Sequence, residues 1–350
     1  MLARTAKQMG YQVLAYSSNE NTPTLNEADM RFIGGKFDKL KLQDFAQRCD
    51  VLTYESTQVS AEVIKFLQQY TNVVQGYEAL ELFQDRLVER AFFEELNLNI
   101  APYATVVGLD DIYQAVSSIG YPCILKPIQK GYSSKEFFIQ KQTDIAKCAG
   151  VLELGTYILE SYLPRAKEIS LIAVKAANGT IAFFNLVECI YQKQELKMVC
   201  TPIVLPKDIQ SEIMRQAQAI MQDLHYVGAL QIGFYLTQNQ TIYVKDVVAC
   251  LHEIGYVFDK ATNVSMFEQH IRALTNMALV RPKLLQPTVQ VNLSKNDQNA
   301  LNTQLGLKDN WFYNYYRYPE AMQAKYGYVL VLANDVDKAK QQVEATGIWH

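Results

Sequence analysis

Lysines around a flexible turn, carboxylates beside short strands and an acid inside a β-prone run are the side chains in this sequence that could handle a charged ligand. Lys126 closes the apolar run CILKP, and Lys135 follows beyond Gly131. Two ammonium groups around a turn with exposed backbone N–H groups can clamp an anion such as phosphate. The same lysines also suit a solvated surface. Glu160 and Glu168 flank SYLPRAK, a segment that can offer backbone groups to an adenine edge and a carboxylate to ribose hydroxyls, or can simply hold acids beside a turn. Asp246 lies in YVKDVVACLHEIGY, where a strand can present a carboxylate to a metal-bound phosphate or be an ordinary buried strand. His225, His252 and His270 fall at no metal-ligand spacing and read as core or surface histidines.

These residues need elements to position them. The opening alternates helix and strand: LARTAKQMGY is amphipathic, QVLAYS strand-like, KLQDFAQRC helical and DVLTYES another strand. SAEVIKFLQQY, with its Ser N-cap, and NVVQG follow. Such alternation predicts a parallel, doubly wound sheet, although the chain starts on a helix where that fold usually starts on a strand and glycine-rich turn. ALELFQDRLVERAFFEELNL reads as one long helix. ANGT marks a hairpin in the next β-rich stretch, IQSEIMRQAQAIMQDLHY is a helix, and two strands surround TQNQT. Beyond Pro287, VQVNLS, a polar helix, WFYNYYRY and GYVLVLAND make a small β-rich unit.

Composition narrows the function. The chain has 350 residues, 49% of them apolar, enough for two or three cores. Its 33 basic and 36 acidic residues give a net charge of -3, without the basic footprint of a nucleic-acid binder. The six cysteines show no C-x-x-C pair or zinc-finger spacing and read as reduced thiols of a cytoplasmic protein. No apolar run approaches a membrane span, and MLARTAKQMGYQV is too short in apolar residues for a signal peptide.

Taken together, VLTYESTQV, QDRLVER, APYATV, CILKP, KGYSSK, LESYLPRAKEIS, VGALQIGFYLT and MFEQHIRAL resemble, in the same order, the 5-(carboxyamino)imidazole ribonucleotide synthase (PurK) family of ATP-grasp enzymes of purine biosynthesis. The resemblance implies an α/β and α+β architecture. Residues 1–95 would form a Rossmann-like pre-ATP-grasp domain lacking its first strand, 96–286 the ATP-grasp domain and 287–350 a small β-rich C-terminal domain, usually as a homodimer. It also implies a reaction in which ATP and bicarbonate give carboxyphosphate, which carboxylates the amine of aminoimidazole ribonucleotide. Arg86, Lys126 and Lys135 would contact ATP phosphates, with Lys135 also catalytic. Glu160, Ser161, Tyr162 and Leu163 would line the adenine pocket, Glu168 would hold the ribose, and Arg317 and Lys325 would meet the substrate phosphate.

The departures from the family pattern fall on the chemistry. KGYSSKE carries Ser133, Ser134 and Glu136 where the family has Asp and glycines, which removes backbone freedom and adds a negative charge. Cys189 and Tyr191 stand for an asparagine–histidine segment, and Cys250 for an arginine that handles bicarbonate. Of two glutamates that hold Mg²⁺ in the family, one matches Gly233 and the other Asp246, beside Lys245. Because side chains alternate along a strand, Gln231, Gly233 and Tyr235 share one face and supply no carboxylate. The expectation is a small-molecule, nucleotide-binding member of this family with Asp246 as its only remaining catalytic acid and weak metal ligand, and with much or all of the carboxylation lost. The alternative is a catalytically inactive nucleotide-binding or regulatory homologue.

Overall fold

The computed structural model describes residues 1–130, 136–153, 155–192, 195–294, 297–316 and 327–349. The chain opens on the helix Leu2–Gln8, whose Leu2 and Ala3 are buried. Strands β1 (Leu14–Ser17) and β2 (Met30–Ile33) follow and pair in parallel. Helices Lys39–Gln47 and Ala61–Leu67 place Leu42, Phe45, Val63, Ile64 and Leu67 in one core with Leu52, Tyr54 and Val73. The doubly wound sheet expected here is short. DVLTYES and NVVQG meet through a single parallel bridge, Val51 to Asn72, and no ladder joins them to β1 among the described residues. Side chains do much of the joining instead: Thr53 and the backbone N–H of Tyr54 both donate to Gln75 Oε1.

The run read as one long helix is two. Helices Glu78–Gln84 and Arg86–Glu95 meet at Asp85, which is extended (φ -110°, ψ 123°) and accepts hydrogen bonds from the Leu87 and Val88 N–H groups. Aspartate competes with helical backbone bonding in this way and favours the cap over the interior. The break seats the segment 127–130 against the junction. Arg86 N–H donates to the Ile128 carbonyl, Lys130 N–H to the Gln84 carbonyl, and the Gln129 amide to Asp85.

A four-stranded antiparallel sheet comes next, with β3 (Tyr103–Val106), β4 (Cys123–Pro127), β5 (Phe137–Ile139) and β6 (Tyr157–Ser161) in the order β3-β6-β4-β5. The remaining strands are β7 (Lys167–Lys175), β8 (Ile181–Phe183), β9 (Val187–Gln192), β10 (Glu195–Thr201), β11 (Gly228–Leu236), β12 (Ile242–Val248), β13 (Thr288–Leu293), β14 (Trp311–Tyr315) and β15 (Gly327–Leu332). Among the described residues they form one antiparallel sheet, β12-β11-β7-β9-β10-β13-β15-β14, with β8 also on β7. ANGT does turn β7 into β8, with Gly179 at φ +84°, and TQNQT turns β11 into β12.

Strand β7 is buried on both faces, which explains its near-continuous apolar run. Ile169, Leu171 and Ala173 pack against helices Arg86–Glu95 and Lys207–Asp223, while Ile172 and Val174 join the core of Met266–Leu274. The first 84 residues are tied to this sheet by a neutral buried chain. Ala229 N–H donates to His270 Nδ1 (3.0 Å), which leaves the proton on Nε2, and Nε2 lies 2.9 Å from Thr53 Oγ1. Thr53 donates to Gln75 Oε1, the Gln75 amide to Tyr226 Oη, and Tyr226 to the Ala229 carbonyl.

Candidate functional site

The helix Arg86–Glu95 delivers charge to the sheets because its buried stripe, otherwise Phe92 and Phe93, also contains Glu89 and Arg90. Glu89 is fully buried; its Oε1 accepts from Lys130 Nζ (2.7 Å) and from Val247 N–H (2.9 Å). Arg90 places Nε and Nη2 on Glu160 Oε1 (2.9 and 2.7 Å), and Nη2 also donates to the Lys245 carbonyl (3.0 Å). Lys126, at the end of β4, donates to Glu160 Oε2 (2.7 Å). Burial opposes ionisation of Glu160, yet Lys126 and then Arg90 outweigh it and hold the carboxyl well below its usual range.

The other half of the site lies on β12, β11, β7 and β9. The β12–β11 register pairs Asp246 with Gly233 and then Val244 with Phe234, so Lys245 is a bulge residue. Val244 and Val247 both point into the core, and the bulge turns both residues between them, Lys245 and Asp246, to the opposite side. Lys245 reaches Glu168 Oε2 on β7 at 2.7 Å. Its ammonium lies 5.5 Å from the Tyr235 ring centroid and 5.1 Å from that of Tyr191. Burial disfavours its charge, but Asp246, then Tyr235, Tyr191 and Glu168, raise its pKa well above the ordinary lysine value. Burial likewise opposes the charge of Asp246, and Lys245 followed by Lys130 keeps its carboxyl below the usual aspartate range.

Gly233 leaves room for Asp246: a Cβ at this position would overlap Asp246 Oδ1. Gln231, on the same face, donates to Ser170 Oγ (3.1 Å). Cys189 is buried beneath this face, and burial pushes its thiol up to about 12; Cys250 is also pushed up to about 12 by burial. Neither thiol is a nucleophile at neutral pH. Among the described residues no group of three or more His, Cys, Asp or Glu side chains is placed to hold a metal ion. With an ammonium already on Glu168 and glycine at 233, the residues present do not fit Mg²⁺.

Of the residues singled out from the sequence, Lys126, Glu160 and Glu168 are already held in ion pairs. Lys126 is engaged by Glu160 rather than standing as an open anion clamp. Arg86 donates to the Pro127 carbonyl (2.9 Å) and sits 3.6 Å from Glu136. The N–H groups of Ser161 and Tyr162, expected to be available to an adenine edge, instead donate to Pro102 and Pro122 carbonyls, because the chain after β6 runs on beside 102 and 122. Tyr162 is exposed, edge-on to Phe138 at 4.9 Å, and the partly buried Leu163 follows it. Lys135, Arg317 and Lys325 lie outside the described residues. His252 caps the short turn after β12 and His270 is a core residue. Sequence reading missed Glu89, Arg90 and Lys130; the signal was an ER pair set directly before AFF on the stripe that packs inward.

The ATP-grasp domain family model matches residues 91–267, and the ribonucleotide synthetase preATP-grasp domain model matches residues 1–84. An N5-carboxyaminoimidazole ribonucleotide synthase from Staphylococcus aureus (strain COL) is 32% identical over 349 residues, 99% of this chain and 92% of the relative. The solved N5-carboxyaminoimidazole synthetase from Staphylococcus aureus superposes with a TM-score of 0.92 at 30% identity, over 99% of this chain and 93% of that one. A solved ADP complex of an N5-carboxyaminoimidazole ribonucleotide synthetase superposes with a TM-score of 0.95 at 26% identity, with the same coverage. No helix among the described residues is long and apolar enough to cross a membrane.

Proposed function

This chain belongs to the N5-carboxyaminoimidazole ribonucleotide synthase family of ATP-grasp proteins, and from that premise we propose that it binds adenine nucleotide without catalysing the family's ATP- and bicarbonate-dependent carboxylation of aminoimidazole ribonucleotide. The observation that carries this reading is the Lys245–Glu168 pair. The carboxylate matched to the ribose is held by an ammonium that leans over Tyr235 toward it, and the positive charge of the same lysine favours the ionised form of Asp246, the acid matched to the metal.

Chemistry on ATP needs charge stabilisation that strengthens in the transition state, worth several kcal/mol where a metal supplies it. In this site Glu89, Glu160, Glu168 and Asp246 are already balanced by Lys130, Arg90, Lys126 and Lys245. A nucleotide entering it would exchange existing pairs for new ones: ribose hydroxyls for Lys245 on Glu168, and phosphate for Glu160 on Lys126. Binding is then weak and gains nothing toward a transition state. Cys250 and Cys189, both protonated, supply neither a cation nor a general base for bicarbonate.

The test is phosphate release by the purified protein with ATP, aminoimidazole ribonucleotide and bicarbonate. No turnover dependent on both substrates is expected, and Gly233→Glu alone restores none, because its side chain must displace Asp246. A rate near ~10 s⁻¹, the common enzyme scale, would overturn the proposal. From the family we also infer a cytoplasmic homodimer that takes small-molecule nucleotides and no nucleic acid; light scattering on the eluting protein tests the dimer.

A further inference from the structure

We propose that Lys245 is a tethered cation standing in for a divalent metal, so that this site takes its ligands without metal and admits a metal only when Lys245 is removed. The ligand arm of this inference rests on the nucleotide-binding reading above. Its metal arm does not.

The β-bulge makes the substitution possible. In a regular strand Lys245 and Asp246 would point to opposite faces, but here both lie between two core valines and turn to the same side. The ammonium is then surrounded by a cation's coordination partners. Glu168 Oε2 lies at 2.7 Å, the Tyr191 and Tyr235 rings present their faces, and the Asp246 carboxylate lies with the lysine stem on the Gly233 face and favours the charge. Asp246 Oδ1 is buried with no hydrogen-bond partner, so its compensation comes from neighbouring positive charge. Gly233 contributes only the space that this carboxylate fills. A divalent ion would have to evict an ammonium that is covalently present at high effective concentration, or sit beside it against like-charge repulsion.

The metal arm is thermal melting with Mn²⁺ added to the protein alone. The wild-type midpoint stays within about 1 °C. In Lys245→Asn, with Glu168 and Asp246 released, millimolar Mn²⁺ raises it by a few degrees, as expected for a site filled about tenfold over its Kd. Lys245→Met keeps more of the apolar stem and gives the same gain should the asparagine variant fold poorly. Lys245→Arg keeps the charge and gives none. Mn²⁺ stabilisation of the wild type, or no gain in the folded neutral variants, overturns the proposal.

The ligand arm is calorimetric titration of wild type with ADP in EDTA and in MgCl₂, with Kd values expected within about twofold. Tightening by Mg²⁺ of tenfold or more overturns the tethered cation while leaving nucleotide binding intact. Absence of ADP binding in both buffers overturns the nucleotide reading, and the Mn²⁺ melts still decide the role of Lys245.

Discussion

Strand β11 has a buried polar assembly at each end, and the two are built on opposite plans. Near its start, Ala229 enters the neutral chain of His270, Thr53, Gln75 and Tyr226, in which each side chain both donates and accepts. Toward its end, Gly233 and Tyr235 sit in the ionic cluster, where Glu89 Oε2, Arg90 Nη1 and Asp246 Oδ1 are buried without a hydrogen bond. A neutral chain needs only matched donors and acceptors and can be closed completely by geometry. Charges pair by proximity, and their remaining lone pairs and protons stay unmet unless a ligand or water supplies them. The first plan suits a joint between domains. The second leaves polar atoms that a charged ligand or water could meet.

Removing one acid from the ionic end should have the largest effect. Glu160→Gln leaves Arg90 and Lys126 facing each other with no carboxylate between them, and breaking a buried pair on one side costs about 3–5 kcal/mol. The urea midpoint of unfolding should drop accordingly. A loss below ~1 kcal/mol would mean that the two cations find water and that the cluster is less sealed than its burial indicates.

Acid should strain the neutral end. Burial depresses the His270 pKa to about 3, from 6.5 for the free side chain. The unfolded chain therefore binds the proton first, so the contribution of neutral His270 is complete above pH 6.5 and is lost as pH falls toward 3. At pH 5 this is roughly 2 kcal/mol, at about 1.4 kcal/mol per pH unit below 6.5. Denaturation series at pH 7 and pH 5 measure it, and His270→Asn, which keeps an acceptor for Ala229 N–H but cannot ionise there, should flatten this part of the profile. An unchanged slope in that variant would place the acid sensitivity elsewhere.

The smallest effect should come from Glu168→Gln. Its pair with Lys245 has the same 2.7 Å geometry as Lys126–Glu160, but its side chains are 24% and 26% exposed where those are 16% and 7%. Solvent screening then leaves about 1 kcal/mol or less. Equal losses from Glu160→Gln and Glu168→Gln would show that geometry, not burial, sets the strength of these bridges.

Much of this contrast could not be read along the chain. The hairpins at ANGT and TQNQT and the helix Lys207–Asp223 were legible because turn chemistry and periodicity are local. Asp85 was not, since its run scores as helix on both sides and only the docking of residues 127–130 makes the cap the better state. Glu89 and Arg90 lie inside the run read as one long helix, and nothing in their own charge marks them as buried. Their partners lie on β4, β6 and β12, and a charge is worth burying only when those partners are present. Lys245 is visible in the sequence as a charge beside Asp246, but its contact with Glu168, 77 positions earlier, depends on a one-residue register shift.

The order of motifs, the apolar alternation and the turn residues determined by themselves the fold class and family. Those are consequences of local propensity and of residue identity at a position. The tertiary structure alone decided that Glu89, Glu160 and Glu168 are held in ion pairs and that one bulge turns Lys245 and Asp246 to the same side of the sheet. Each of these is a contact between segments far apart in the chain, and the free energy of a buried charge is set by what surrounds it in space.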